Sequence, residues 1–95
     1  MRDPFRVLVL TVVHDPEDAR IRHRQIPALL DAGFEVAYAA PFSAFNRTPP
    51  EGVRGVDVPR AQGRARFKGI QAARRVIHTF GATTDVILLH DPDLL

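Results

Sequence analysis

Two apolar, β-branched runs that each end in His-Asp-Pro constrain this chain more than any other feature. The first is Val7-Leu8-Val9-Leu10-Thr11-Val12-Val13, followed by His14-Asp15-Pro16. The second is Val86-Ile87-Leu88-Leu89, followed by His90-Asp91-Pro92. Continuous apolar runs of this length fit strands buried on both faces, as in parallel sheets with helices on each side. Ligands of such sheets bind outside the carboxyl ends of the strands. Two similar polar tripeptides at two such ends therefore point to one shared site.

The remaining elements follow from periodicity and punctuation. Strand one is expected over about Arg6 to Val13. A helix start follows, with Asp15 able to cap, Pro16 suited to the first helical position, and Glu17 and Asp18 placing acids where the helix dipole favours them. That helix would bury Ile26, Leu29 and Leu30 and stop at Gly33. Pro27 conflicts with a regular helix, because it cannot donate to the carbonyl of His23 and its ring crowds the preceding turn. The conflict predicts either a kink or a loop over 14–22 that runs into a helix near Ile21. Phe34 to Ala40 reads as strand two and Val53 to Val58 as a short strand three. Residues 41–52, with three prolines, Asn46 and Gly52, read as the loop between them. Phe67, Ile70, Ala73, Val76, Ile77 and Phe80 recur at helical period within about Ala65 to Phe80. Strand four is expected over Asp85 to Leu89.

The order β-α-β-β-α-β predicts an α/β, Rossmann-like half-domain: a mostly parallel sheet of strand order 3-2-1-4 with flanking helices. Strands two and four would lie on opposite sides of strand one, a topological switch flanked by His14 and His90.

A chain of 95 residues makes at most one domain with a thin core. It contains no cysteine, which excludes disulfides and thiolate metal sites. The amino terminus lacks the features of a signal peptide, and no segment approaches the length of a membrane span. A cytoplasmic location is the expectation. The formal charge is only +2, but residues 47–75 hold eight Arg or Lys (Arg47, Arg54, Arg60, Arg64, Arg66, Lys68, Arg74, Arg75) against two acids. Such a segment suits phosphates or the anionic inner face of a membrane, or is simply a solvated face. Nucleic acid fits it less well, since Phe67 alone interleaves with the basic residues and no nucleic-acid motif is present.

Several roles stand open for the two tripeptides. The aspartates can cap helices, with the histidines as plain strand-end groups. A metal site from His14, Asp15, His90 and Asp91 lacks the i, i+4 spacing of helical zinc motifs. A histidine can act as a general base, or His90 and Asp91 can hydrogen-bond a sugar or phosphate. Gly-rich dinucleotide binding is disfavoured, because the stretch His14 to Arg20 has no glycine and carries three acids.

Three segments together resemble the amino-terminal half-domain of retaining glycosyltransferases of the GT-B fold, family 4. They are Val12-Val13-His14-Asp15-Pro16-Glu17-Asp18-Ala19-Arg20-Ile21, Leu29-Leu30-Asp31-Ala32-Gly33-Phe34-Glu35-Val36, and Asp85 to Leu95 with its His90-Asp91-Pro92-Asp93-Leu94-Leu95 ending. The last is the most specific, and 41–69 matches only in having a variable loop and a basic stretch. The resemblance implies an acceptor-side domain that faces a donor-binding domain across a cleft. The substrates would be a nucleotide-sugar donor and a glycosyl acceptor, with no cofactor and no metal. By motif position His90 would be the catalytic-cleft residue near the transferred sugar, and His14, Asp18, Arg20 and Asp91 would bind substrate. The chain stops inside the helix that should follow strand four, so residues 1–95 are expected to be a truncated portion, inactive alone and prone to self-associate through exposed apolar surface. The alternative is a stand-alone α/β module that binds an anionic ligand or partner.

Overall fold

A computed structural model describes residues 5–61, 63 and 66–91. Four strands form one sheet: β1 (Arg6–Leu10), β2 (Glu35–Ala40), β3 (Val53–Asp57) and β4 (Val86–Leu89). Their order is β3-β2-β1-β4, and every pairing is parallel. This is a Rossmann-like half-domain, as the alternation of elements predicts. β1 lies between β2 and β4, with Leu8 opposite both Ala37 and Ile87.

The central position of β1 explains its unbroken apolar run. Leu8 and Leu10 face one helical layer with Ala73 and Val76, while Val7 and Val9 face the other with Ile21 and Ile26. All four strand residues are buried. Burying each such side chain stabilises by about 1.5–3 kcal/mol relative to exposure.

Helix α1 (Ile26–Asp31) covers the Val7/Val9 face and α2 (Arg66–Gly81) the Leu8/Leu10 face. The chain enters α1 through a wide π-helical stretch, Ala19–Gln25, where the Ile26 N–H donates to the carbonyl of Ile21. Such a five-residue closure accommodates a proline that neither donates to nor tolerates the carbonyl four residues back. Pro27 accordingly falls in the first turn of α1, where no donor is required of it. Neither a simple kink nor a loop persisting to Ile21 describes the result: the backbone is helical from Ala19, and the pitch changes at Ile26.

The cap is also displaced from its expected place. Asp18, not Asp15, precedes the helix and accepts from the Arg20 N–H at 3.0 Å. Asp15 instead closes a turn one step earlier, accepting from the Glu17 N–H at 2.9 Å. Pro16 is buried, and its carbonyl accepts from the Tyr38 hydroxyl at 2.9 Å. Strand ladders also end sooner than hydropathy predicts. β1 stops at Leu10 and β3 at Asp57, although the Val58 N–H still donates to Ala40 and the Ala61 N–H to Val12. Those bonds draw 58–61 over the carboxyl end of β1, where Ala61 packs on α2 at Gly69. Among the described residues, no helix is long and apolar enough to cross a membrane.

Candidate functional site

Just past the carboxyl ends of β1 and β4 the first His-Asp-Pro meets His90 and Asp91 of the second. The ladder runs on by one residue on each side: the Thr11 N–H donates to Ala39 and the His90 N–H to Leu10, both at 3.0 Å. Asp91 is thereby delivered beside the turn that leaves β1. Its carboxylate accepts from the Val12 N–H at 2.6 Å and from the Thr11 hydroxyl at 2.9 and 3.1 Å. His14 Nε2 lies 3.3 Å from the same carboxylate. Asp91 is 3% exposed, so a charged group is buried here with its oxygens occupied. Burial of that kind is tolerated only with such partners.

Thr11 binds the two segments from the other side. Besides donating to Asp91, its Oγ1 accepts from the His14 N–H at 3.1 Å and, at a longer 3.4 Å, from the Val13 N–H. The His14 backbone and ring are thus both set by the Thr11–Asp91 pair. The His14 ring remains 33% exposed and forms part of the surface of the site.

His90 stands next to this arrangement and is held by Gln25, its Nε2 2.6 Å from Gln25 Oε1. A carbonyl oxygen only accepts, so this contact is a hydrogen bond in the tautomer that carries its proton on Nε2, which leaves Nδ1 its lone pair. Burial pushes the His90 pKa below its ordinary value. The charges of His14 and Arg20 push the same way, while Asp91 and Asp18 oppose them. The result favours a neutral imidazole near pH 7, able to accept a hydrogen bond or a proton at Nδ1. These electrostatic neighbours are the residues singled out in the sequence, so His14, Asp18, Arg20, His90 and Asp91 lie in one region.

The rim is built from the turn between β1 and the π-helical stretch. Burial pushes the Asp18 carboxyl up, but its hydrogen bonds from the Arg20 side chain and backbone outweigh this and hold it below its ordinary value. Arg20 Nε is 3.5 Å from Asp18, on an exposed side chain. Asp15 is held low chiefly by the Glu17 N–H and also by Arg47, whose guanidinium lies 3.3 Å away. Asp15, Glu17 and Asp18 all act on the buried Tyr38 hydroxyl beneath them, whose pKa is raised mainly by burial. The rim of the site is therefore acidic, with Arg20 and Arg47 already matched to carboxylates.

Two members of the site escape sequence reasoning, Thr11 and Gln25. Thr11 reads as one more β-branched strand residue, and Gln25 carries no motif. Both matter only through contacts with residues far along the chain. Among the described residues, no three His, Asp or Glu side chains converge as metal ligands. Pro92, Asp93, Leu94 and Leu95 of the family-like segment lie outside the described residues.

A cavity of about 320 Å³ opens at the opposite ends of the strands, lined by Arg6, Glu35, Arg54, Phe80 and Thr83 among others. Arg6 faces Glu35 at 3.8 Å, though its buried Nε makes no hydrogen bond, and Arg54 sits over the Phe80 ring at 5.2 Å. None of the five predicted site residues reaches it. The strand-end cluster, at the switch point of the sheet, is the stronger candidate.

Fold and cluster together define a Rossmann-like α/β half-domain with a polar, acid-rimmed site at its topological switch. Scanned against protein-family models, curated proteins and solved structures, the chain matches none.

Proposed function

We propose that the chain is the acceptor-side portion of a retaining glycosyltransferase of the GT-B kind, and that its strand-end cluster contacts a sugar. In this reading the enzyme moves a glycosyl group from a nucleotide-sugar to an acceptor. Donor binding falls to a further domain, and the chain alone transfers nothing. The supporting observation is the convergence of both His-Asp-Pro segments on one site, with a family-like segment supplying His90.

Roles follow from the chemistry of each group. Neutral His90, its Nε2 proton directed to Gln25, offers Nδ1 to a hydroxyl. Asp18 and Arg20 offer an acceptor and a donor at the rim. Asp91, buried and engaged, acts as a positioning residue: it holds His14 and the turn after β1 rather than touching substrate. The rim favours a hydroxyl-rich ligand over a phosphate, because Arg20 and Arg47 each face a carboxylate, Asp18 and Asp15, and neither presents an unopposed positive charge to an anion. On that ground a sugar is preferred to the anionic ligand of a stand-alone module.

The test is an amide-resolved NMR titration of the 95-residue chain with neutral glycosides, inorganic phosphate and nucleotides. Neutral glycosides are expected to move the amides of residues 12–14, 18–20 and 90 at millimolar concentration, and His90→Ala to abolish the response. A response to phosphate alone would favour the anion-binding module. Sugar transfer by the purified chain from a range of nucleotide-sugars would overturn the assignment of donor binding to another domain.

A further inference from the structure

We infer that the outward face of α2 is a docking surface for an anionic lipid bilayer, a property independent of the catalytic reading. The helix runs Arg66–Gly81 and contains no Asp or Glu. At about 100° per residue, positions 67, 68, 71, 74, 75 and 78 fall within about 120° of arc. Gly69, Ala73 and Val76, the buried residues of α2, occupy the opposite side. The outward strip consequently carries Phe67, Lys68, Gln71, Arg74 and Arg75, all exposed.

Two observations separate this strip from an ordinary solvated face. First, its cations are uncommitted. Arg47 is paired with Asp15, Arg54 lies over Phe80 and Arg60 lies over Phe45, so much of the basic middle of the chain is occupied internally. Lys68, Arg74 and Arg75 have no ion pair or ring contact among the described residues. Second, Phe67 is 67% exposed, more than the other exposed large hydrophobics Phe5, Val13 and Val86. An aromatic side chain projecting beside Lys68, with Arg74 and Arg75 two turns further along, places an apolar wedge and cations in one plane. That combination suits the boundary between headgroups and acyl chains, where a helix lies flat with its cations among anionic headgroups. Nucleic acid would satisfy the charges and leave the wedge without a partner, since a single aromatic makes no stacking series.

The experiment is vesicle co-sedimentation of the full chain with phosphatidylcholine alone and with phosphatidylcholine containing 30% phosphatidylglycerol. Binding is expected only to the anionic vesicles, and it should weaken steeply between low and physiological salt. Each basic residue near such a surface is worth about a factor of five, so Arg74→Gln with Arg75→Gln should weaken binding roughly thirty-fold. Phe67→Ser should weaken it while leaving the salt dependence in place. These positions are exposed, so an unchanged thermal melt is expected for each variant, and the wild-type salt series stands without them. No partition onto anionic vesicles at low salt, equal binding to neutral vesicles, or tighter binding to an oligonucleotide of random sequence would each overturn the inference.

Discussion

His14 Nε2 lies 3.3 Å from Asp91 Oδ1, so the histidine of one His-Asp-Pro is held by the aspartate of the other. The two form one interlocked unit, in which Asp91 supplies the acceptor and Thr11, Val12 and His14 gather around it. The unit ties the turn after β1 to the end of β4, and it sets the surface from which His90 faces outward.

Removing the buried carboxylate should therefore cost stability before it affects any ligand. Asp91→Ala leaves the Val12 N–H and the Thr11 hydroxyl without this acceptor in a buried site. An unsatisfied buried group costs about 1–3 kcal/mol, so a loss of about 3 kcal/mol is expected. Asp91→Asn retains one acceptor oxygen and should cost about half as much. Denaturant midpoints at constant slope measure both. A loss below about 0.5 kcal/mol for the alanine variant would show that the unit does not hold the fold together.

The pH dependence of stability has two separate windows. His90 has a folded pKa below the ordinary histidine value of 6.5, chiefly through burial. Between those values the unfolded chain binds the proton more readily, so stability present above 6.5 is lost as pH falls through the folded pKa. Asp15 and Asp18 are held below 3.8, and the stability they contribute is lost only as pH falls further, through their own depressed values. His90→Gln should flatten the upper window and leave the lower one unchanged. Melting temperatures recorded from pH 7.5 down to pH 3 distinguish the two. An unchanged upper window in the variant would mean that another group is responsible.

The tautomer of His90 is open to direct observation. With Gln25 Oε1 at 2.6 Å, the ring should carry its proton on Nε2 and show a bare Nδ1 at pH 7.5. Nitrogen chemical shifts of the labelled imidazole report this. Gln25→Met should remove the preference without unfolding the chain. A protonated Nδ1 in the wild type would reverse the role given to His90, making that nitrogen a donor.

The sheet was legible in the sequence because double burial leaves a plain mark. β1, with a helix on each face, needs no alternation, so Val7 to Leu10 announces itself. Val86 to Leu89 reads the same way but is not buried on both faces: β4 is an edge strand, Val86 is exposed and its other residues stay half-buried. The start of the first helix was not legible. Asp15 and Asp18 are equally good caps by composition, and what decides between them is tertiary: Arg47 binds Asp15, and Tyr38 binds the carbonyl of Pro16. Pro27 marked the irregularity correctly, but proline alone does not say whether the chain kinks, loops or widens its turn. His14, Asp18, Arg20, His90 and Asp91 were recognisable as polar groups at strand ends and on the following turn. That Asp91 turns inward, with Gln25 holding His90, depends on contacts between distant segments, to which no local pattern points.

The two glycines of α2 should respond in opposite directions to the same substitution. A Cβ on Gly69 would collide with Ala61 Cβ and sit 2.8 Å from its Cα, with the Ala61 backbone pinned by its N–H bond to Val12. That contact has to be relieved by moving α2 away from 58–61, and overpacking of this kind costs about 1–3 kcal/mol. The gain in helix propensity from Gly to Ala, up to about 1 kcal/mol, is too small to offset much of that range. At Gly81 a Cβ meets nothing within 4 Å, so Gly81→Ala is expected to be neutral or stabilising by a few tenths of a kcal/mol. Parallel thermal melts of the two variants decide the matter. Equal shifts of the same sign would show that the close approach of Ala61 to α2 is not a constraint on the fold.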